Sequence, residues 1–393
     1  MKKLNLPTGV ENCINTITSH GFEAFAVGGC VRDSLLGRNP KDYDVATNAA
    51  PDDIIGMFPK TVPTGIAFGT VTVMMDSLPI EVTTYRSDGE YDDFRRPTTV
   101  SFGSKIEDDL SRRDFTVNAM AYNHESGLVD LFGGQSDLQN GVIRCVGKPA
   151  DRFSEDALRI MRCFRFALRL GFDIEQETLS AALEMSGNLE KISVERIAVE
   201  LTGCLAAKCP ARLKTLLDTG CLSFLGMNGG SDLSRLDRIM NDRCARLAAL
   251  LLLTKTENAF LKNLRLDNRT INTVSVLTMN SSVKPPVTAP DICRLLGALP
   301  YELSEQYYSL REALYDDDTK ISRNMLRYVV DNDLPYKISH LKINGNEIIR
   351  SGAAKEGREV GIILNRLLQA VIDDPSLNER QKLLSLAVEL FQQ

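Results

Sequence analysis

Two aspartates, Asp42 and Asp44, flank Tyr43 in PKDYDVATN (40 to 48) and lead into Val45. On a β-strand, residues two apart face the same side, and carboxylates side by side repel unless a cation lies between them. That arrangement suits Mg²⁺, which takes a few carboxylate oxygens and completes its shell with water and substrate phosphate. A bare DxD is also common in surface loops, and its place in the chain is what favours the metal. Just before it, in AVGGCVRDSLLG (26 to 37), a short apolar strand runs into Gly28-Gly29 and then into a helix. The free N–H groups of such a helix start attract phosphate, and Arg32, one turn on, could add a charge-assisted contact. Alone, the glycine pair also reads as a plain strand-to-helix turn.

Glu81 alternates with Ile80 and Val82 in LPIEVTTYR, so on a neighbouring strand it could face the aspartates as a third carboxylate or orienting partner; a solvated strand face fits equally well. The charged, aromatic segment DGEYDDFRRPTTV (88 to 100) has little apolar content to anchor it and is expected to act as a gate beside the site or as a solvated connection. In LSRRDFTVNAMAY (110 to 122), Ser111 is expected to cap a helix carrying Arg113 and Asp114 in its first turn and Asn118 one turn later, a set able to bind triphosphate and ribose.

RFSEDALRIMRCFRFALRLGF (152 to 172) offers a different chemistry. Asp156 and Arg159 fall three apart on one expected helical face, and Arg162 and Arg165 continue the line. Cytosine and adenine share an exocyclic amino group beside an unprotonated ring nitrogen. A carboxylate can accept from the first and a guanidinium can donate to the second. Against uracil or guanine the carboxylate would meet a keto oxygen and lose about 1–3 kcal/mol. Asp156 with Arg159 could thus select C and A without a template, although a surface i, i+3 ion pair has the same spacing.

These residues need elements to hold them. Up to about residue 150 the chain alternates β-like runs, EAFAV (23 to 27), GTVTVMM (69 to 75) and PIEVTTY (79 to 85), with Gly, Pro and Asp punctuation, as an α/β unit does. After Pro149 long helical patterns take over, the first expected to open at a Ser154 cap followed by Glu155 and Asp156. GMNGGS (226 to 231) and VKPPVTAP (283 to 290) mark softer breaks, and a turn at Asn344-Gly345 precedes an amphipathic helix from about Glu356.

The 393-residue length predicts roughly two to four domains. No apolar run approaches the roughly 18 residues of a membrane span, and no signal-peptide core follows Met1, so the expectation is a cytoplasmic protein that does not meet a membrane. Nine scattered cysteines without a CxxC spacing fit reduced thiols, and three histidines are too few for a histidine-rich metal centre. A formal charge of −6 means that any RNA surface must be local. Arg152, Arg159, Arg162, Arg165 and Arg169 form one such stripe.

Taken in order, GGxVRDxLLGxxxKDYDVAT, EVTTYRxDGxYxDxRRP, RRDFTVNAMAY, RFSEDALRIMRCFRF and ISVERIAVEL resemble the bacterial class II tRNA nucleotidyltransferases, the CCA-adding enzymes. The resemblance is specific over residues 22 to 205 and returns in INGNEIIRSGAAKEGREVGIILNRLL; from about 206 to 330 it is helical character only. It implies an α+β chain: a DNA-polymerase-β-like nucleotidyltransferase head over 1–150, then all-helical neck (151–205), body (206–325) and tail (326–393) domains. Neck, body and tail would hold the acceptor arm of tRNA. Residue by residue it implies Asp42 and Asp44 as Mg²⁺ ligands, Gly29, Arg32 and Arg113 at the triphosphate and sugar, and Asp156 and Arg159 reading the base with Arg162 and Arg165 beside it. Glu155 and Arg196 fall inside family motifs and are expected to orient. CTP and ATP would be the donors, and no obligate protein partner is implied.

Poly(A) polymerases share the head and neck motifs, but SLAVELFQQ lacks the basic extension expected for non-specific RNA retention, and TGIAFGTVTV (64 to 73) looks like the CCA-adding form. CC-only enzymes resemble this chain with a shortened loop, whereas Asp88 to Val100 reads as complete. A catalytically silent RNA-binding protein is disfavoured by the intact Asp42, Asp44 and Asp156.

Overall fold

The computed structural model describes residues 4–66, 69–88, 91–92, 96–97, 100–102, 105–355 and 357–391. The chain forms two compact units, one of residues 1–232 with 259–266, the other of 233–258 with 267–393.

In the first unit, α1 (Thr8–Ser19) buries Val10, Cys13, Ile14 and Ile17, the apolar stripe of a 3.6-residue period. The all-buried β1 (Ala24–Val27) leads through Gly28 into α2 (Gly29–Leu35), and β2 (Tyr43–Thr47) follows, then α3 (Pro51–Met57). The strands β3 (Thr61–Gly65), β4 (Thr70–Met75) and β5 (Leu78–Thr84) complete one side of the sheet. Short ribbons pair β6 (Arg86–Asp88) with β9 (Val100–Phe102) and β7 (Tyr91–Asp92) with β8 (Arg96–Pro97). After α4 (Ile106–Ser111) come β10 (Met120–Asn123), β11 (Gly127–Asp130), α5 (Gly134–Asn140) and β12 (Val142–Ile143). The main sheet has seven strands in the order β11-β10-β1-β2-β5-β4-β3. The runs expected at 23–27, 69–75 and 79–85 are β1, β4 and β5. Of the segment expected as a gate, 88 to 100, most lies outside the described residues, as do positions 67 and 68 of TGIAFGTVTV.

Register decides what the sheet presents. β2 runs antiparallel to β1, with Val27 opposite Asp44, and parallel to β5, with Asp44 opposite Glu81. In β5 the buried Ile80, Val82 and Thr84 alternate with the exposed Glu81, so period two puts the apolar set in the core. Phe25, Val27, Ala46, Tyr85, Ile106, Leu110 and Ala121 form a core cluster between the sheet and α4.

Helices dominate from Pro149, as expected, with one small departure: β13 (Asp173–Ile174) pairs in parallel with β12, so the stretch expected as an all-helical neck contains a two-residue strand. The expected start at Ser154 is also corrected. Pro149 at the first turn opens α6 (Pro149–Glu155), and Ser154 back-bonds to the Asp151 carbonyl instead of capping. Asp156, in extended backbone, separates α6 from α7 (Leu158–Leu170), and its Oδ1 accepts from the Leu158 N–H at 3.0 Å. α8 (Gln176–Glu184) and α9 (Val194–Leu205) follow, and α9 packs on α7. The second unit is helical in its described residues, its longest helix being Arg358–Asp373. There Asn344 is the cap of helix Gly345–Arg350, in a capping box with Glu347, rather than an isolated turn.

Candidate active site

One cleft of about 860 Å³ opens beside the C-terminal end of β1 and the start of β2, and Gly28, Gly29, Arg32, Asp42, Asp44, Arg113, Asp156, Arg159, Arg162 and Arg165 all line it. That volume suits a nucleotide-sized ligand.

The floor comes from the Gly28 turn. Gly28 has φ +73°, a conformation side chains resist, and a Cβ there would stand 2.8 Å from Nη1 of Arg113. Arg113 thus lies across the turn, held from behind by Asp109, whose Oδ2 accepts from Nε at 3.3 Å and Nη2 at 3.0 Å. The other oxygen of Asp109 takes Arg112. Burial alone would raise the Asp109 carboxyl, but the two guanidinium charges bring it below the usual range. Arg32 is buried, with Nη1 donating to Asn118 Oδ1 at 2.7 Å and Nε to Asp33 at 2.8 Å.

The expected helix opening at Ser111 is corrected. Ser111 ends α4, Arg113 and Asp114 sit in the turn beyond it, and Asn118 closes a 3₁₀ turn, Thr116–Asn118, before β10. Asp114 organises this turn, accepting from the Phe115 N–H at 2.8 Å and from Asn118 Nδ2 at 3.0 Å. The buried polar bonds of the turn displace the helix that the local pattern suggested.

Asp44 lies in β2, and Asp42 sits on the bend just before it, so only the first has the strand setting expected of both. Burial, then the neighbouring Glu81 and Asp42 charges, push the Asp44 carboxyl up to about 6, with Arg113 working against them. Crowded carboxylates facing a cleft are a donor set that a divalent cation would relieve. Among the described residues no group of three or more His, Cys, Asp or Glu side chains is built to hold a metal, so phosphate and water oxygens would have to complete its shell. Glu81 pairs in register with Asp44 but does not line the cleft.

Asp156 and Arg159, the pair expected to read the base, reach the cleft in a different form from the one expected. Asp156 and Arg159 do not share a helical face, because Asp156 is the break before α7. Nor do they pair with each other. Asp156 Oδ2 accepts from Arg196 Nη2 at 2.7 Å, from α9. Arg159 donates to Glu155 Oε2 at 2.5 Å and to the carbonyls of Arg152 and Arg112 at 3.1 and 2.9 Å. Each half is therefore held by a separate partner, and Glu155 and Arg196 are the groups that hold them. Two further arginines of the stripe are likewise paired: Arg162 with Asp114 and Arg165 with the buried Glu200.

Asp109 and Phe166, which lines the cleft, were not singled out from the sequence. Asp109 had a readable signal in its i+3 and i+4 spacing to Arg112 and Arg113. Phe166 looked like one more apolar position of α7.

A family described as "Poly A polymerase head domain" matches residues 24–144, and "Probable RNA and SrmB-binding site of polymerase A" matches residues 171–226. The CCA-adding enzyme of Streptococcus gordonii is 37% identical over 95% of this chain and 96% of its own. That of Limosilactobacillus fermentum is 38% identical over the whole of both chains. The crystal structure of the Bacillus stearothermophilus CCA-adding enzyme in complex with CTP superposes with a TM-score of 0.86 at 31% identity, covering 98% of this chain and 97% of that one.

Proposed function

Because this chain belongs to the CCA-adding enzyme family, we propose that it is a tRNA nucleotidyltransferase whose catalytic centre is the cleft between Asp44 and Asp156. The enzyme adds C, C and A to the 3′ end of tRNA without a template, from CTP and ATP, releasing pyrophosphate. Its partners are the acceptor arm of tRNA and the two nucleotides. Head 1–150, neck 151–205, body 206–325 and tail 326–393 are the proposed functional divisions, with neck, body and tail on the tRNA. No described helix is long and apolar enough to cross a membrane, and the tRNA substrate supports a cytoplasmic location.

The observation that carries the assignment is that one cleft gathers two crowded carboxylates, two guanidiniums at a glycine turn and a separately anchored carboxylate and guanidinium pair. Asp42 and Asp44 would hold the two divalent cations, Mg²⁺ by its oxygen preference. Bound there, the cations supply the charge that acidifies the RNA 3′-hydroxyl and neutralises the leaving pyrophosphate. Gly29 leaves room for phosphate to approach the backbone, while Arg32 and Arg113 bind the triphosphate and sugar. Asp156 accepts from the amino group of cytosine or adenine and Arg159 donates to the adjacent ring nitrogen. Arg162 and Arg165 close the cleft beside the nucleotide. Because Arg196 and Glu155 fix the two readers, the selecting surface exists before the nucleotide arrives, and little reorganisation is required on binding.

The test is to incubate the protein and Mg²⁺ with tRNA lacking its last three nucleotides, giving CTP, ATP or both, and to resolve products at single-nucleotide length. Two additions with CTP and three with both, then a stop, is the expected result. A stop at two with both nucleotides, a long ladder with ATP, or no extension would overturn it in favour of CC addition, poly(A) synthesis or a silent RNA-binding protein.

A further inference from the structure

Phe166 lines the cleft. The residue is 6% exposed, and three guanidinium carbons lie over its ring: Arg165 at 4.3 Å from the centroid, Arg32 and Arg162 at 5.3 Å. Arg32 comes from α2 beside the glycine turn, the other two from α7. Phe115 meets the ring edge-on, centroids 5.8 Å apart and planes at 75°, which fixes its tilt.

Three cations converging on one point repel one another. Each has its own anion, Asp33 for Arg32, Asp114 for Arg162 and Glu200 for Arg165. Asn118 links the first two guanidiniums, accepting from Arg32 and donating to Asp114, whereas Arg165 is paired on a different element, α9. The ring touches all three, and its negative π faces attract each of them. Arg165 has a further constraint. A Cβ on Gly203 would fall 2.5 Å from its Cδ, so the stem lies against bare backbone of α9 and cannot retreat from the ring in that direction.

We propose that Phe166 is a positioning residue that sets the mutual spacing of Arg32, Arg162 and Arg165 and thereby seats the incoming nucleoside triphosphate. The inference rests on the cleft being the nucleotide site. Arg159 is held by Glu155 and two carbonyls, and Asp156 by Arg196, so base selection is anchored independently of the ring. Loss of the ring therefore weakens CTP and ATP alike.

Steady-state extension of tRNA substrates by Phe166→Leu, which keeps apolar volume without a π face, is the test. KM for both nucleotides rises about tenfold, the size expected of desolvated cation–π contacts, with kcat changed less than about twofold and discrimination against UTP and GTP retained. Phe166→Tyr keeps the ring and holds KM near the wild-type value. Gly203→Ala pushes on Arg165 while leaving Phe166 in place, raises KM in the same way, and adds little on top of Phe166→Leu. Should the leucine variant fail to fold, the tyrosine and Gly203→Ala variants decide the matter by the same two readouts. An unchanged KM in folded Phe166→Leu, equal damage from leucine and tyrosine, or lost base discrimination with KM intact would overturn the inference. Wild-type protein that extends no tRNA would overturn the nucleotide-site reading as well, whereas active wild type with an unaffected leucine variant overturns this inference alone.

Discussion

Arg162 on α7 grips Asp114 through both Nε, at 2.9 Å, and Nη2, at 2.5 Å, across 48 positions of sequence. The pair ties the turn after α4 to the helix that carries much of the cleft wall. Burial would raise the Asp114 carboxyl, but the Arg162 charge and the Asn118 hydrogen bond outweigh it and bring it to about 2. A folded-state pKa below the unfolded value means that this carboxylate stabilises the fold fully above about pH 4 and loses that contribution as pH falls toward about 2. We expect Asp114→Asn to flatten this acid limb in denaturant titrations and to cost about 3 kcal/mol at neutral pH, since it leaves Arg162 unpaired. An unchanged acid limb would show that the pair contributes nothing to stability.

Asp42→Ala and Asp44→Ala should each lower nucleotide incorporation by about three orders of magnitude or more, the scale of lost metal-centred charge stabilisation. Affinity for tRNA, measured by filter binding, should stay within about twofold. Retained turnover in either variant would count against that residue as a metal ligand.

Arg159→Ala removes the donor proposed to meet the ring nitrogen. Single-turnover incorporation should show discrimination against UTP and GTP reduced by about 1–3 kcal/mol, the value of an unmatched buried polar group. Binding of tRNA should change less than this. Unaltered nucleotide choice would remove Arg159 from the selecting pair.

Arg196→Ala tests the anchor of Asp156. With Arg196 gone, the carboxylate keeps its bond to the Leu158 N–H but loses the contacts at 2.7 and 3.4 Å that hold it from α9. We expect kcat/KM for CTP and ATP to fall about tenfold or more, with thermal stability lowered by about 1 kcal/mol, as for a partly exposed ion pair. Wild-type kcat/KM would show that Asp156 is positioned by its own helix break alone.

Gly28→Ala places a side chain at φ +73° and 2.8 Å from Arg113. The conformational strain alone should cost about 1–3 kcal/mol, and displacement of Arg113 should raise KM for both nucleotides. A KM equal to wild type, measured alongside the melting temperature, would detach Arg113 from nucleotide binding.

What the sequence determined by itself was whatever short-range pattern specifies. Alternation in PIEVTTY gave β5, the apolar run ending in Gly28-Gly29 gave the β1 to α2 turn, and the order of motifs gave the family and the residues that converge on the cleft. Strand pairing register was not in those patterns, yet it sets Asp44 beside Glu81 and Val27. The same holds for the partners of the charged side chains. Spacing offered Asp156 and Arg159 to each other, but a charge leaving water is satisfied by whichever opposite charge the packing brings within reach, and packing brought Arg196 from 40 positions away. The helix expected from Ser111 gave way to a turn because Asp114 found Asn118, Phe115 and Arg162 together only in the folded chain. Segment 259–266 joins the first unit although 233–258 lies in the second, a division no local pattern carries. Phe166 is the clearest case: in sequence it is one apolar position of an amphipathic helix, and only tertiary packing puts three guanidiniums over its ring.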